Sequence, residues 1–434
     1  MIKKLVLVFV TIFTLQINAQ EGTASPYSFY GIGSSKFKGT VENRSMGGLS
    51  IYTDSVHVNL RNPASYAGRN LQVWNNENRP VKFSVGGSHS SVNLKSETSK
   101  GSTASTTFDY LAINVPMGKF GFGISLMPFT SVGYKLESTN ENGNLTNRFS
   151  GKGGVNKAVF GIGYQISKTF SIGVDAQYNF GSIENSAIIY RFDNDNTPIS
   201  NQSKESNRSD LSGLNINLGL SYKGMLTDKL EFVSGITYTP ESTLTSKNVR
   251  ELSTIITTSS GLEAPISTIS VDLESLNLEE VDLLIPSKFS FGAGLGAPRK
   301  WFVGAEYETQ KTSEFSNPLY NIGDATYEDA SRISVGGFFI PQYNSYTSYF
   351  KRVVYRAGFR QEKTGLNING ESVNEFGMSF GVGIPLRGGL SSANLGFEVG
   401  KRGTTNSNLI QENFINLHIS LSLNDRWFEK RKYN

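Results

Sequence analysis

The stretch from Ile415 to Asn424 constrains the chain most. Ile415, Leu417, Ile419, Leu421 and Leu423 are aliphatic, and Asn416, His418, Ser420, Ser422 and Asn424 between them are polar. Unbroken period-two alternation marks a strand whose two faces meet different media. Phe414 precedes the run, Trp427 and Phe428 follow it, and a basic tail closes the chain. A strand of about ten residues, apolar on one face and bounded by aromatics, has the length and pattern of a membrane-barrel strand. A half-buried strand of a soluble sheet alternates the same way, so the remaining chain must separate the two.

The pattern repeats from Val81 to the C-terminus. Phe170, Ile172, Val174, Ala176, Tyr178 and Phe180 alternate with small or polar residues, as do Leu214, Ile216, Leu218 and Leu220, and Phe376, Met378, Phe380, Val382 and Ile384. About fourteen such runs can be marked. Short links such as Met117-Gly118-Lys119 and Ser167-Lys168-Thr169 alternate with long polar stretches near 96–105, 138–147, 191–210, 248–287 and 311–332. Link 342–351 is the exception, of medium length where a short one is due. Sorting of links by end is the layout of an outer-membrane meander, with tight periplasmic turns and long external loops. The fold class expected is therefore all-β: a transmembrane antiparallel β-barrel of about 14 strands over residues 81–425. Its greasy face turns to outer-membrane lipid and its Gly, Ser and Asn face to the lumen, with scattered charges such as Asp175, Glu306 and Glu398. Aromatics at strand ends, among them Phe120, Phe170, Tyr222 and Trp301, fit girdles at the headgroup level.

Residues 1–19 have the form of a secretory signal: Lys3 and Lys4, an apolar run from Leu5 to Leu15, and Ala19 before Gln20. That run is too short to cross a bilayer as a helix. The chain has no cysteine, which excludes a disulfide framework and thiolate metal sites. With 41 Lys and Arg against 37 Asp and Glu, it is close to neutral and carries no nucleic-acid signature. There are three histidines and neither a His-Glu-x-x-His nor a Gly-x-Ser-x-Gly motif. Asp193-Asn194-Asp195-Asn196 lacks the spacing of a calcium loop. No enzyme activity, no cofactor and no metal site is expected. The tail 426–434 is basic and assigned to the periplasm. The stretch 251–286 holds seven acidic residues and no Lys or Arg, and reads as a lid, a docking surface or a solvated loop.

Between signal and barrel lies an aperiodic segment too small to form its own core. It carries Pro26-Tyr27-Ser28-Phe29-Tyr30-Gly31, then Met46-Gly47-Gly48, Asp54 and Asn62-Pro63-Ala64. With these motifs and the strand number, the chain resembles the FadL family of outer-membrane transport proteins in its Bacteroidetes-type form. The resemblance implies that residues 20–80 form a hatch inside the barrel, with Tyr27, Phe29, Tyr30, Met46, Gly47, Gly48, Asn62, Pro63 and Ala64 as hatch or gate residues. It implies a home in the outer membrane of a Gram-negative bacterium. It further implies a passive conduit for small hydrophobic molecules that leave sideways through the wall. Pro128, which ends the apolar run 120–127, is the candidate wall kink. Relatives of this kind also serve as non-transporting subunits or docking platforms of multiprotein outer-membrane machines for secretion or barrel assembly. The motifs leave both roles open.

Overall fold

The computed structural model of the chain describes residues 22–67, 80–193, 199–257, 263–315, 317–319, 325–386 and 391–425. The expected signal, the basic tail and, with it, Trp427 and Phe428 lie outside the described residues. Before the barrel come a two-residue strand β1 (Ser34–Ser35), a one-turn helix α1 (Val41–Arg44) and a 3-10 turn Pro63–Tyr66. The wall begins with β2 (Val81–Lys95), β3 (Lys100–Met117), β4 (Phe120–Thr139), β5 (Leu145–Gln165), β6 (Phe170–Ile189) and β7 (Asn201–Met225). β8 (Glu231–Thr239) and β9 (Ser242–Thr257) both pair with β7 and form one wall strand. β10 (Glu263–Ser270), β11 (Glu280–Ile285) and β12 (Lys288–Ala297) form the next, laid along β9 and β8.

The circuit continues through β13 (Trp301–Gln310), β14 (Ala325–Tyr327) with β15 (Ala330–Phe339), β16 (Val354–Ile368), β17 (Glu371–Pro385), β18 (Ser392–Arg402) and β19 (Gln411–Asp425). β19 pairs antiparallel with β2 from Gln411↔Lys95 to Asp425↔Val81, which closes a 14-stranded barrel. Closure leaves no sheet edge at this seam, the condition for a sheet to sit in hydrocarbon.

The faces follow the alternation. Ile415, Leu417 and Ile419 of β19, Phe376, Met378 and Phe380 of β17, and Leu214, Ile216 and Leu218 of β7 are outward and exposed, while Asp175, Asn217, Glu398 and Ser420 are inward and buried. Near the short turns the outward rings fall in rows: Trp301 stands opposite Phe339, and Phe339 opposite Tyr355. Phe120 packs on Tyr164 and Phe170 on Tyr222, each pair at 4.8 Å. Such a ring of amphipathic side chains marks the membrane–water interface.

The long polar stretches are mostly strand, contrary to the loops expected. β3 starts at Lys100, β5 at Leu145, and β7 reaches back to Asn201. Beyond the hydrocarbon both faces are wet, so side-chain alternation fades while the backbone ladder continues. The acidic stretch 251–286 likewise extends the wall through β9, β10 and β11, and turns Leu283 and Ile285 inward onto Ile32, Val132 and Tyr134.

Candidate functional site

Residues 22–67 lie against the inward face of the wall and are fastened there by charge. Thr40 and Asn43 cap α1, and Arg44 at its end donates to the Glu398 carboxylate (Nε–Oε2 2.9 Å). Arg360, 1% exposed by side chain, donates to the other Glu398 oxygen at 2.9 Å and also meets Glu375, which Arg402 reaches at 2.5 Å. Farther along, Arg61 bridges Glu306 (3.1 Å) and Glu308, while Ser50 donates through N–H and hydroxyl to Glu306, both at 2.9 Å. Arg360, Glu398 and Glu306 are almost wholly buried while Arg44 and Arg402 keep 15% and 22% of their side chains exposed, so the buried charges depend on their partners. The lumen is thus far more charged than the few scattered residues expected.

Asp54 accepts from the N–H groups of Val56 and His57 and lies 2.7 Å from His57 Nδ1, whose Nε2 is 3.2 Å from Ser392 Oγ. Burial opposes the Asp54 charge, but the His57 contacts outweigh it and hold the carboxyl well below its usual range. Neither Ser392 nor His57 lines the lumen cavity. This Asp–His–Ser line ties the segment to β18.

The motif residues divide between anchoring and lining. Met46-Gly47-Gly48 turns against β16 and β17: Gly47 N–H donates to Ser379 Oγ (2.8 Å), Gly47 and Gly48 take positive φ, and a Cβ on Gly358 would run into the Met46 backbone. Asn62 Oδ1 accepts from Ala64 N–H (3.0 Å), its Nδ2 donates to the Leu220 carbonyl (2.9 Å), and Pro63 and Ala64 press on Gly173. Tyr27 donates to the Ile410 carbonyl (2.6 Å), and Phe29 stands edge-on to Tyr30 and Tyr134. Tyr27, Tyr30 and Pro128 line the cavity. Of the C-terminal strand, Leu417, Ile419, Leu421 and Leu423 alternate outward. Phe414 points in, under the Arg360 guanidinium.

At Pro128 the wall changes. β3 and β4 pair only from Met117↔Phe120 to Leu111↔Leu126, seven rungs above the turn. At ~3.3 Å per residue and a tilt near 40°, those rungs rise roughly 16 Å, short of an apolar band of about 25 Å. Higher up, β3 keeps β2 and β4 keeps β5, with a register shift between Pro128 and Thr130. The N-terminal segment takes the place of β3 along β4. Ser34 and Ser35 pair with Ser131 and Thr130, and Lys36 N–H donates to the Phe129 carbonyl (2.9 Å). Ser28 Oγ accepts from Gly133 N–H (3.1 Å) and donates to the Ser25 carbonyl (2.6 Å).

Behind this opening lies a cavity of about 440 Å³. Its wall includes both lips of the gap, Ser105, Thr107 and Asp109 on one side and Pro128, Phe129 and Thr130 on the other. Rings and cations alternate around it. Lys157 Nζ lies 4.1 Å above the Phe129 ring, and Arg44, Arg332 and Arg61 surround the Phe37 ring at 4.9, 5.7 and 5.9 Å. Sequence reasoning missed Lys36, Phe37 and Lys38. The only sign of them is a Lys-Phe-Lys step in an otherwise uncharged aromatic and glycine-rich run.

A protein-family model described as BamG matches residues 1–434. No match is found among curated proteins. Among solved structures, the Pseudomonas putida toluene transporter TodX superposes with a TM-score of 0.58 at 15% identity, covering 91% of this chain and 100% of that one. A Pseudomonas aeruginosa FadL homologue gives 0.57 at 11% identity, covering 90% and 98%. The Ralstonia pickettii toluene transporter TbuX gives 0.54 at 15% identity, covering 89% and 98%. At these identities the likeness is one of fold: a FadL-like outer-membrane barrel.

Proposed function

The chain belongs to the BamG family, and we propose that it is a passive conduit for small hydrophobic molecules, gated by its N-terminal hatch and emptied sideways beside Pro128. One observation carries the reading: the β3–β4 ladder stops inside the membrane band, and the cavity wall includes both lips of the opening. The fold neighbours named as toluene transporters suggest the ligand class. The cavity offers such a guest the rings of Phe37 and Phe129, both in its lining.

Because the chain has no cysteine, the lips can be tied without background by cysteines at Thr107 and Thr130 joined by a bis-maleimide with an internal disulfide, long enough to pass Ser35, which pairs with Thr130. Uptake of labelled toluene by cells carrying the cross-linked variant should fall about tenfold and return on reduction; uptake indifferent to the tether would end the proposal.

A second reading, a non-transporting subunit of an outer-membrane machine, is favoured by the buried ionic lock on residues 40–61, since a hatch so fastened keeps the lumen shut. Purification in mild detergent distinguishes the two. Stoichiometric protein partners, with uptake no higher than in cells lacking the barrel, support the subunit.

A further inference from the structure

The link between β15 and β16, residues 340–353, is the one that departs from the length pattern of the short-turn end. It is braced by its own hydrogen bonds. Gln342 N–H donates to the Lys351 carbonyl (2.8 Å), Ser348 N–H to Ser345 Oγ (3.3 Å) and Arg352 N–H to the Tyr349 carbonyl (3.0 Å), around a buried Ser345. On this frame Tyr346 is 100% and Phe350 75% exposed. A held loop that keeps two rings in water forgoes their burial for no internal gain, so a surface outside the chain must receive them.

Charge says what kind of surface. Ile340 N–H donates to the Lys300 carbonyl (2.7 Å), which lays the link beside the β12–β13 turn. Together these two pieces carry Arg299, Lys300, Lys351 and Arg352, and neither 297–301 nor 339–353 contains an acidic residue. Arg299 stands 5.4 Å over the Tyr343 ring and Arg352 5.1 Å over Tyr349. Position says where the surface lies. Tyr355 belongs to the outward aromatic row with Phe339 and Trp301, and its hydroxyl donates to the Phe350 carbonyl (3.2 Å). Tyr349 donates to the Pro385 carbonyl at the foot of β17 (2.8 Å). The end of the link at 349–353 therefore runs along the outer rim of the barrel, continuous with the lipid-facing belt, while Arg299 and Tyr343 stand on the lumen side near Tyr52.

We propose that this rim binds anionic phospholipid of the periplasmic leaflet, with Tyr346 and Phe350 seated among the headgroups and Lys300, Lys351 and Arg352 on their phosphates. The site is at the opposite end of the barrel from the gap and stands independently of what the lumen carries.

The test uses the full-length barrel reconstituted in vesicles. Single cysteines Tyr346→Cys and, as a belt control, Leu417→Cys carry an environment-sensitive fluorophore. One vesicle set is phosphatidylcholine alone and the other contains phosphatidylglycerol. The label at 346 should shift to the blue and be quenched by brominated lipid only with phosphatidylglycerol, an effect reversed by high salt. The label at 417 should read as buried in both. In native mass spectra, the K300Q/K351Q/R352Q variant should retain about tenfold less phosphatidylglycerol than the unmodified chain. A label at 346 that stays water-like in both vesicle sets overturns the proposal. So does one shielded only in native membranes, which would assign the surface to a protein.

Discussion

From β15 round to β2 the ladders cross the whole wall, with one register shift in β16 between Lys363 and Asn367, and side-chain charge holds the N-terminal segment to them. At β3 and β4 the ladder stops after seven rungs and backbone holds the same segment. The difference has a local cause. Pro128 cannot donate into a ladder, the register slips beside it, and β4 turns away from β3 with an open edge. An unpaired strand edge at membrane depth must find donors and acceptors, and Ser28, Ser34, Ser35 and Lys36 provide them. On the closed side the segment meets no open ladder and is held through wall side chains, chiefly the carboxylates of Glu306, Glu308 and Glu398, with neutral contacts such as Gly47 N–H to Ser379 beside them. One barrel thus fastens its filling by two kinds of chemistry, and the opening lies where the second replaces a neighbouring strand.

The comparison can be broken most severely on its ionic side. Arg360→Met leaves Glu398 and Glu375 buried with fewer partners and should cost about 3–5 kcal/mol, read as a lower urea midpoint in lipid micelles. A loss under about 1 kcal/mol would mean that the carboxylates are hydrated and the lock is not dry. A smaller effect tests whether the lipid belt differs across the two seams. Leu417, His89 and Thr106 occupy one rung running from β19 through β2 to β3. Leu417→Arg should cost about 2 kcal/mol, whereas Thr106→Arg, beside the opening, should cost less than about 1. Equal costs would make the belt continuous past the gap. The backbone side is tested by Ser28→Ala, which strips the Gly133 N–H of its side-chain acceptor. It should cost about 1–2 kcal/mol and raise amide exchange at Gly133 roughly tenfold, with exchange along β19 unaltered. Unchanged exchange at Gly133 would show that water replaces the hydroxyl and that the segment does not substitute for β3.

The barrel was legible because period-two alternation is enforced wherever one face meets lipid. The outward sides of β6, β7, β17 and β19 read directly from residues such as Val174, Ile216, Met378 and Leu417. Where lipid ends, that enforcement ends too, so β7 back to Asn201 and β5 back to Leu145 read as loop. The interior was legible residue by residue and not as a system. Glu398 and Asp175 stood out as inward charges, but Arg44 and Glu398 are 354 positions apart and become partners only when the wall closes. Pro128 was visible as a residue unfit for a ladder. That Ser34 and Ser35 would occupy the vacated edge was not visible, because two serines carry no strand signal and their partners Ser131 and Thr130 lie far along the chain.

The closing seam joins the two far ends of the wall: Val81, where it starts, is paired with Asp425, where it finishes. Arg44 and Arg61 take their carboxylates from β18 and β13, hundreds of positions later in the chain. A chain cut short before β18 would therefore lose both its seam and the carboxylate that Arg44 meets, so the two ends of the sequence depend on each other for charge as well as for closure.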